Sequence, residues 1–400
     1  MRRLLTSALS PLFLCAFVFS TALLSAADSL QPAPANFQHH LIRRDAYNGK
    51  NQDGGISYGP LPVPSGSRFR NLTVGSNGEE MVTYWSKNLQ DKDVRKAIIM
   101  FHGRQRDGGN YFTIANDALK SAIKDGVAGA TPNTLVIAPQ FLSKDRNPGQ
   151  YSSRQIAFAD VNQWQVGARA TYPRNTPVDS FSAISDLLSF LADKSRFPNL
   201  NSVVLVGHGG GGQLMSRYAA MGSVPSTSRI HFRFVVGDPS TNLYFTPNRP
   251  LTSSFNAKGY NKDSCPLFNT YRYGYDKMAQ YGPSVAASVS PKQHFRNFVS
   301  RDVVLLVGME DTDPSGDQSC MALLTGGTAR RDRNLMYWRY LNQLAGTNAN
   351  LSKLPGKFSS KLPDWSQGTE FNARLVTVPN ATHDPEVVFS SSAGRSVLFK

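Results

Sequence analysis

The sequence is short of charge, and of negative charge most of all. Charged residues make up 18% of the 400, below the ~25% usual in globular chains, and Asp and Glu number 28 against 43 Lys and Arg. Together with 32 Gly and 24 Pro, this profile suits a secreted protein with long ordered loops better than a cytosolic helical one. Cysteine is scarce, at three residues, and no Cys/His spacing resembles a zinc site. The His39-His40 pair reads as part of a solvated arm, so neither metal nor cofactor is expected. No segment beyond the first two dozen residues is apolar enough to span a membrane, and no internal repeat or long low-complexity stretch occurs.

The N-terminus points to export. Arg2 and Arg3 precede an apolar run from Leu12 to Leu24, and Ser25-Ala26-Ala27 offers the small residues that a signal peptidase reads. The competing reading is a membrane anchor. A spanning helix needs ~20 apolar residues, and here Pro11 and Ser20 interrupt the flanks of a shorter run. Residues 1–27 are therefore expected to be a cleaved signal peptide, with the mature protein extracellular and without a stable membrane anchor. Cys15 leaves with the leader. Cys265 and Cys320 remain, and an oxidising compartment favours a disulfide between them over two buried thiols. Asn71, Asn350 and Asn380 stand in Asn-X-Ser/Thr sequons available for glycosylation in a eukaryotic secretory pathway.

The net charge of +15 loses only Arg2 and Arg3 with the leader. Such a basic surface attracts polysaccharide, anionic lipid or nucleic acid. The cations are scattered, however, with only short clusters such as Arg330, Arg331 and Arg333, and no nucleic-acid-binding motif accompanies them. A solvated cationic surface with no specific nucleic-acid partner is the expected reading.

Residues 28–53 form a polar arm with Pro32, Pro34 and an Asn48-Gly49 turn, and Arg43-Arg44 is a candidate dibasic processing site. From residue 54 to 400, strand-length apolar runs alternate with helical patterns. That is the mark of an α/β domain with a mostly parallel sheet covered on both faces. Strands are expected at Ala97–Phe101, Thr134–Ala138 (stopped by Pro139), Ser202–Val206, His231–Val236, Asp302–Val307 and Arg374–Val378. Helices are expected at Phe112–Lys124, from Asp179 to Asp193 with Asp179 as cap, and over Gln213–Met221 and Arg333–Leu344. The stretch 241–301 breaks this rhythm with Tyr244, Phe245, Phe255, Tyr260, Phe268, Tyr271, Tyr273, Tyr275 and Tyr281 among turn residues. It reads as a lid, as an aromatic satellite core, or as both.

Open parallel sheets gather function beyond the carboxyl ends of their strands. Here those ends carry His102-Gly103, the run Gly207 to Gly212, Asp311 with Asp313, and His383. This arrangement resembles the α/β-hydrolase superfamily, whose chain order is nucleophile, acid, histidine, with the nucleophile in a G-x-S-x-G elbow between strand and helix. Val136 to Phe141, Gly212-Gln213-Leu214, Cys265-Pro266 and Asp311 to Pro314 are similar to segments of secreted microbial hydrolase-like proteins. The resemblance implies that His383 is the general base and Asp311 the acid, with Asp313 as the alternative. It also implies an oxyanion hole from the backbone N–H of Gly210 and one near Gly103 or Arg104.

At the elbow this chain departs from the family. The pattern Gly-His-Ser-x-Gly-Gly is here Gly207-His208-Gly209-Gly210-Gly211-Gly212, so glycine holds the nucleophile's place. Ser180, Ser182 and Ser202 are not at the tip, and Ser216 lies about two helical turns, roughly 10 Å, beyond it. A secreted pseudohydrolase that acts by binding an unidentified small molecule, glycan or protein is therefore expected. The alternative is an active ester or amide hydrolase in which water or another nucleophile works with His383 and Asp311.

Overall fold

The computed structural model describes residues 60–400, except 145, 146, 148, 160, 161, 228, 255–260, 284, 285 and 359–361. All of them fall in the unit Leu41–Lys400. The expected signal peptide, the 28–53 arm, Arg43-Arg44, Phe255 and Tyr260 lie outside the described residues.

Eight strands make the main sheet: β1 (Ser67–Val74), β2 (Glu79–Ser86), β3 (Lys96–Phe101), β4 (Thr134–Gln140), β5 (Ser202–His208), β6 (His231–Gly237), β7 (Asp302–Gly308) and β8 (Arg374–Val378). Their spatial order is β1-β2-β4-β3-β5-β6-β7-β8. The β1–β2 and β2–β4 pairs are antiparallel, and every pairing from β4 through β3 to β8 is parallel. The chain leaves β3 towards β4 on one side and later returns to β5 on the other. The crevice between the ends of β3 and β5 is thus the topological switch point, where open α/β sheets bind ligands.

Alternation along the central strands divides the core between the two faces. Ile98, Met100, Val136, Ala138, Val204 and Val206 pack with helix α1 (Gly108–Lys124) and the C-terminal helices Pro385–Ser390 and Ser392–Phe399. Ala97, Ile99, Phe101, Leu135, Ile137, Val203 and Leu205 face the opposite way. There they meet α2 (Ser180–Ala192), α3 (Gly210–Met221), α4 (Pro291–Ser300) and α5 (Arg330–Ala345). Asp179 caps α2 in a reciprocal capping box with Ser182.

Several expected boundaries move: the helices expected from Phe112 and Arg333 start at Gly108 and Arg330. The strand at Thr134 continues through Pro139 to Gln140, because pairing with β3 has already ended at Ile137 and only β2 remains alongside. The glycine run is not a loop before a helix at Gln213. Gly210, Gly211 and Gly212 are the first turn of α3. A Cβ on Gly211 would stand 2.5 Å from the Phe101 carbonyl oxygen, and one on Gly212 would stand 2.2 Å from that of Gly237. Neither approach is sterically available to a residue with a side chain, so the glycines let α3 press directly on the ends of β3 and β6.

The segment 241–301 contributes core more than cover. Tyr244, Phe245 and Tyr271 are buried in the main core, where Tyr244 meets Tyr337 and Tyr340 and Phe245 meets Phe295 and Phe298. Tyr273 instead packs with Cys265, Met321 and Leu324. Cys265 and Cys320 are joined in a disulfide across 55 residues of sequence. The three sequon asparagines are exposed, and the Asn71 amide donates to Glu80 at 3.0 Å. No helix among the described residues is long and apolar enough to cross a membrane.

Closing a loop of this length restricts the unfolded chain strongly. Replacing Cys265 and Cys320 together by Ser should lower the unfolding free energy by about 2–4 kcal/mol in guanidinium titrations. Reductant should reproduce that loss in the parent and change nothing in the double variant.

Candidate functional site

Four strand ends converge on the crevice. Gly209 sits at the sharp turn between β5 and α3 with φ 56° and ψ −109°, and its N–H donates to the Gly237 carbonyl at 2.9 Å. A side-chain-bearing residue would be strained there by about 1–3 kcal/mol, whereas glycine takes a positive φ readily. A Cβ built on Gly209 would stand 2.9 Å from His383 Nε2 and 3.3 Å from its Cε1. The His383 ring therefore occupies part of the space that a side chain at 209 would fill.

His383 follows β8 and donates from Nδ1 to Asp311 Oδ2 at 2.9 Å. Asp311 follows β7 and is buried, whereas Asp313 is exposed, so Asp311 is the carboxylate brought to the histidine. Arg330, at the start of α5, grips the same carboxylate with two hydrogen bonds, Nε to Oδ2 at 3.0 Å and Nη2 to Oδ1 at 2.9 Å. Burial alone would raise the pKa of Asp311. The bonds and charges of His383 and Arg330 outweigh that and hold it at about 2. Burial, and then the neighbouring His208, lower His383 to about 4 despite Asp311. The imidazole is thus neutral at pH 7, with Nε2 free towards Gly209.

Arg330 and Arg333 were expected in a solvated cationic cluster. Both are buried, because Arg330 faces Asp311 and Arg333 donates to the carbonyls of Gly327, Ser240 and Asp317. Ser216, also buried, donates to Asn242 and takes no place at the turn.

The other wall comes from β3. His102 is fully buried, and its Nε2 accepts from the Phe141 N–H at 3.1 Å, so Nδ1–H donates to the Gly103 carbonyl at 2.8 Å. Because peptide C=O and N–H point oppositely, fixing that carbonyl turns the Arg104 N–H the other way. A Cβ on Gly210 would stand 2.9 Å from the Arg104 nitrogen. Gly103, Arg104 and Gly210 thus lie together beside Gly209.

These groups line a cavity of about 530 Å³ whose wall is polar. Arg104, Arg272 and Arg330 line it together with Asp107, Asp317, Asp384 and Glu386. Among the described residues of 241–301, only Arg272 reaches the cavity; the aromatic side chains do not.

Three residues at the site, His208, Asp238 and Arg330, carried no weight in the sequence as functional groups. His208 lies against His383 with ring centroids 4.4 Å apart, and its Nε2 is 3.4 Å from Asp238 Oδ2. Asp238 stands at the carboxyl end of β6, the kind of position where functional groups collect, and that signal was available. Arg330 had no such signal, since it arrives from a helix start.

No family model and no curated protein matches the sequence. Solved structures do. Poly(aspartic acid) hydrolase-1 from Sphingomonas sp. KT-1 superposes with a TM-score of 0.52 at 15% identity, over 84% of this chain and 99% of that one. This chain has an α/β-hydrolase fold. A poly(3-hydroxybutyrate) depolymerase from Bordetella parapertussis matches at TM-score 0.49 and 15% identity, over 83% of this chain and 91% of that one. At such identities the likeness extends to the hydrolase fold and no further.

Two outcomes follow from the buried groups. Asp311→Asn leaves the Arg330 guanidinium buried without its counter-charge and should cost about 3–5 kcal/mol in urea unfolding; a loss under about 1 kcal/mol would show that Arg330 escapes to solvent. His102 is held at about 3, first by burial. Its folded value lies below the ordinary 6.5, so its stabilisation is complete above pH 6.5 and is lost as pH falls towards 3. Unfolding free energy measured against pH should be flatter in His102→Gln across that window, by up to about 1.4 kcal/mol per pH unit.

Proposed function

We propose that this chain is an exported pseudohydrolase, which keeps the frame and pocket of a serine hydrolase and uses them to bind a ligand. The observation that carries this reading is the turn itself. Gly209 stands where the fold presents its nucleophile, and its missing Cβ direction runs straight at His383 Nε2. The base and acid remain, bonded at 2.9 Å, and backbone donors lie beside them, yet no hydroxyl is at the tip. A cavity of about 530 Å³ lies within the usual ~300–1,000 Å³ of small-molecule sites. The side chains of both charge signs in its wall favour a polar or charged ligand. Export is supported by the leader pattern, the disulfide and the exposed sequons.

A second reading, hydrolysis by water activated at His383, draws on the intact His383–Asp311 pair. In the best-studied triad, loss of the nucleophile lowers turnover by about 10⁶-fold. Turnover of a short-chain nitrophenyl ester by the parent and by Gly209→Ser separates the two. The parent should be silent, and Gly209→Ser should exceed it by at least about 10²-fold, short of full recovery because His383 has to shift to admit the new Cβ. Strong parent turnover that disappears in His383→Ala would overturn the pseudohydrolase reading.

A further inference from the structure

We propose that His208, Asp238 and His383 bind a divalent transition-metal ion of the zinc type at the floor of the pocket, beside Gly209. One ligand atom from each of the three lies within 4.8 Å of the others. His208 Nε2 and Asp238 Oδ2 are already 3.4 Å apart. That is about the separation of two ligands on a tetrahedral zinc ion with bonds of ~2.0–2.2 Å. His383 Nδ1 is committed to Asp311, which leaves Nε2 as its free ligand atom.

An unpartnered atom supplies the independent sign of a missing occupant. His208 is 1% exposed, and its Nε2 is buried with no hydrogen-bond partner among the described residues. Buried ring nitrogens are ordinarily paired, and this one lies 3.4 Å from Asp238 Oδ2 without forming a hydrogen bond. Asp238 is itself fully buried. No Lys or Arg pairs with it among the described residues, and the Gly308 N–H lies against both of its oxygens at 3.0 and 3.2 Å. A buried carboxylate without a cation is costly, and a metal ion between it and the two imidazoles satisfies all three groups together.

The surroundings fit a ligand set. Metal-binding histidines characteristically give their second ring N–H to a carboxylate or carbonyl, as His383 does to Asp311. Asp238 is likewise held by a backbone donor. Gly209 completes the arrangement, because any Cβ there would cover His383 Nε2 from 2.9 Å. The glycine that removes the nucleophile also uncovers the third ligand. The sequence showed no metal spacing because the three ligands come from the ends of three different strands.

The test is a titration of the untagged, metal-stripped full-length chain with Co²⁺, read by visible absorption, followed by displacement with Zn²⁺. One equivalent of Co²⁺ should produce the intense d–d bands of a low-coordinate site. His383→Gln and Asp238→Asn should each weaken binding at least about 100-fold, since even outer-shell losses cost about 10–100-fold. Gly209→Ala, which changes no ligand, should weaken it as well. Circular dichroism checks folding. If Asp238→Asn misfolds, His383→Gln decides, because that side chain is a third exposed and packs at the pocket surface. Absence of saturable binding would overturn the proposal and leave His208 and Asp238 as a metal-free buried pair. Binding kept in His383→Gln but lost on replacing His39 and His40 would overturn it too. Ester turnover has no part in this test, so it stands or falls apart from the pseudohydrolase reading.

Discussion

The backbone contact between helix α3 and the strand ends is the constraint on which the site depends. Gly211 lies against the Phe101 and His102 carbonyls, and Gly212 against that of Gly237, at distances that exclude a Cβ. The helix start is thereby seated between β3 and β6, directly after β5. With both ends of the turn held, Gly209 is forced into its positive φ, and its N–H is tied to Gly237. Gly210 is brought against the Gly103–Arg104 peptide by the same seating. A looser helix would leave the crevice between β3 and β5 without a fixed floor.

Charge is arranged around that floor with little to spare. Asp311 serves two partners, a histidine that lines the pocket and an arginine behind it. The guanidinium satisfies the carboxylate whatever the state of His383, so the acid stays ionised and in place. His383 is kept neutral by burial and by its neighbour His208. A neutral imidazole with its lone pair facing the pocket suits a general base, and it suits a metal ligand equally well. Which chemistry such a group performs is set by what stands opposite, and opposite Nε2 here stands a glycine.

The frame was largely legible in the sequence because buried parallel strands are continuous apolar runs, and Ala97–Phe101, Ser202–Val206 and Asp302–Val307 read as such. β1 and β2 were not, since Arg68, Arg70, Glu79 and Glu80 break the apolar pattern: β1 is the largely exposed edge strand, and in β2 the buried Glu79 is satisfied by Asn77 and Thr176, which come from outside the strand. The aromatic stretch 241–301 was ambiguous for a physical reason. Aromatic residues between turns look the same whether they cover a ligand or fill a core, and here their partners Tyr337, Tyr340, Phe295 and Phe298 decide for the core.

The sequence by itself determined that the chain carries an α/β sheet with a histidine and an acid in hydrolase order and no serine at the elbow. Those are statements about residue identity and period, which local chemistry encodes. Only the tertiary structure decided that Asp311 and not Asp313 meets His383, that Arg330 shares that carboxylate, and that His208 and Asp238 face each other beneath Gly209. These pairings join strand and helix ends far apart in the chain. Their distances are set by how the sheet twists and how closely α3 can approach it, which no local pattern records.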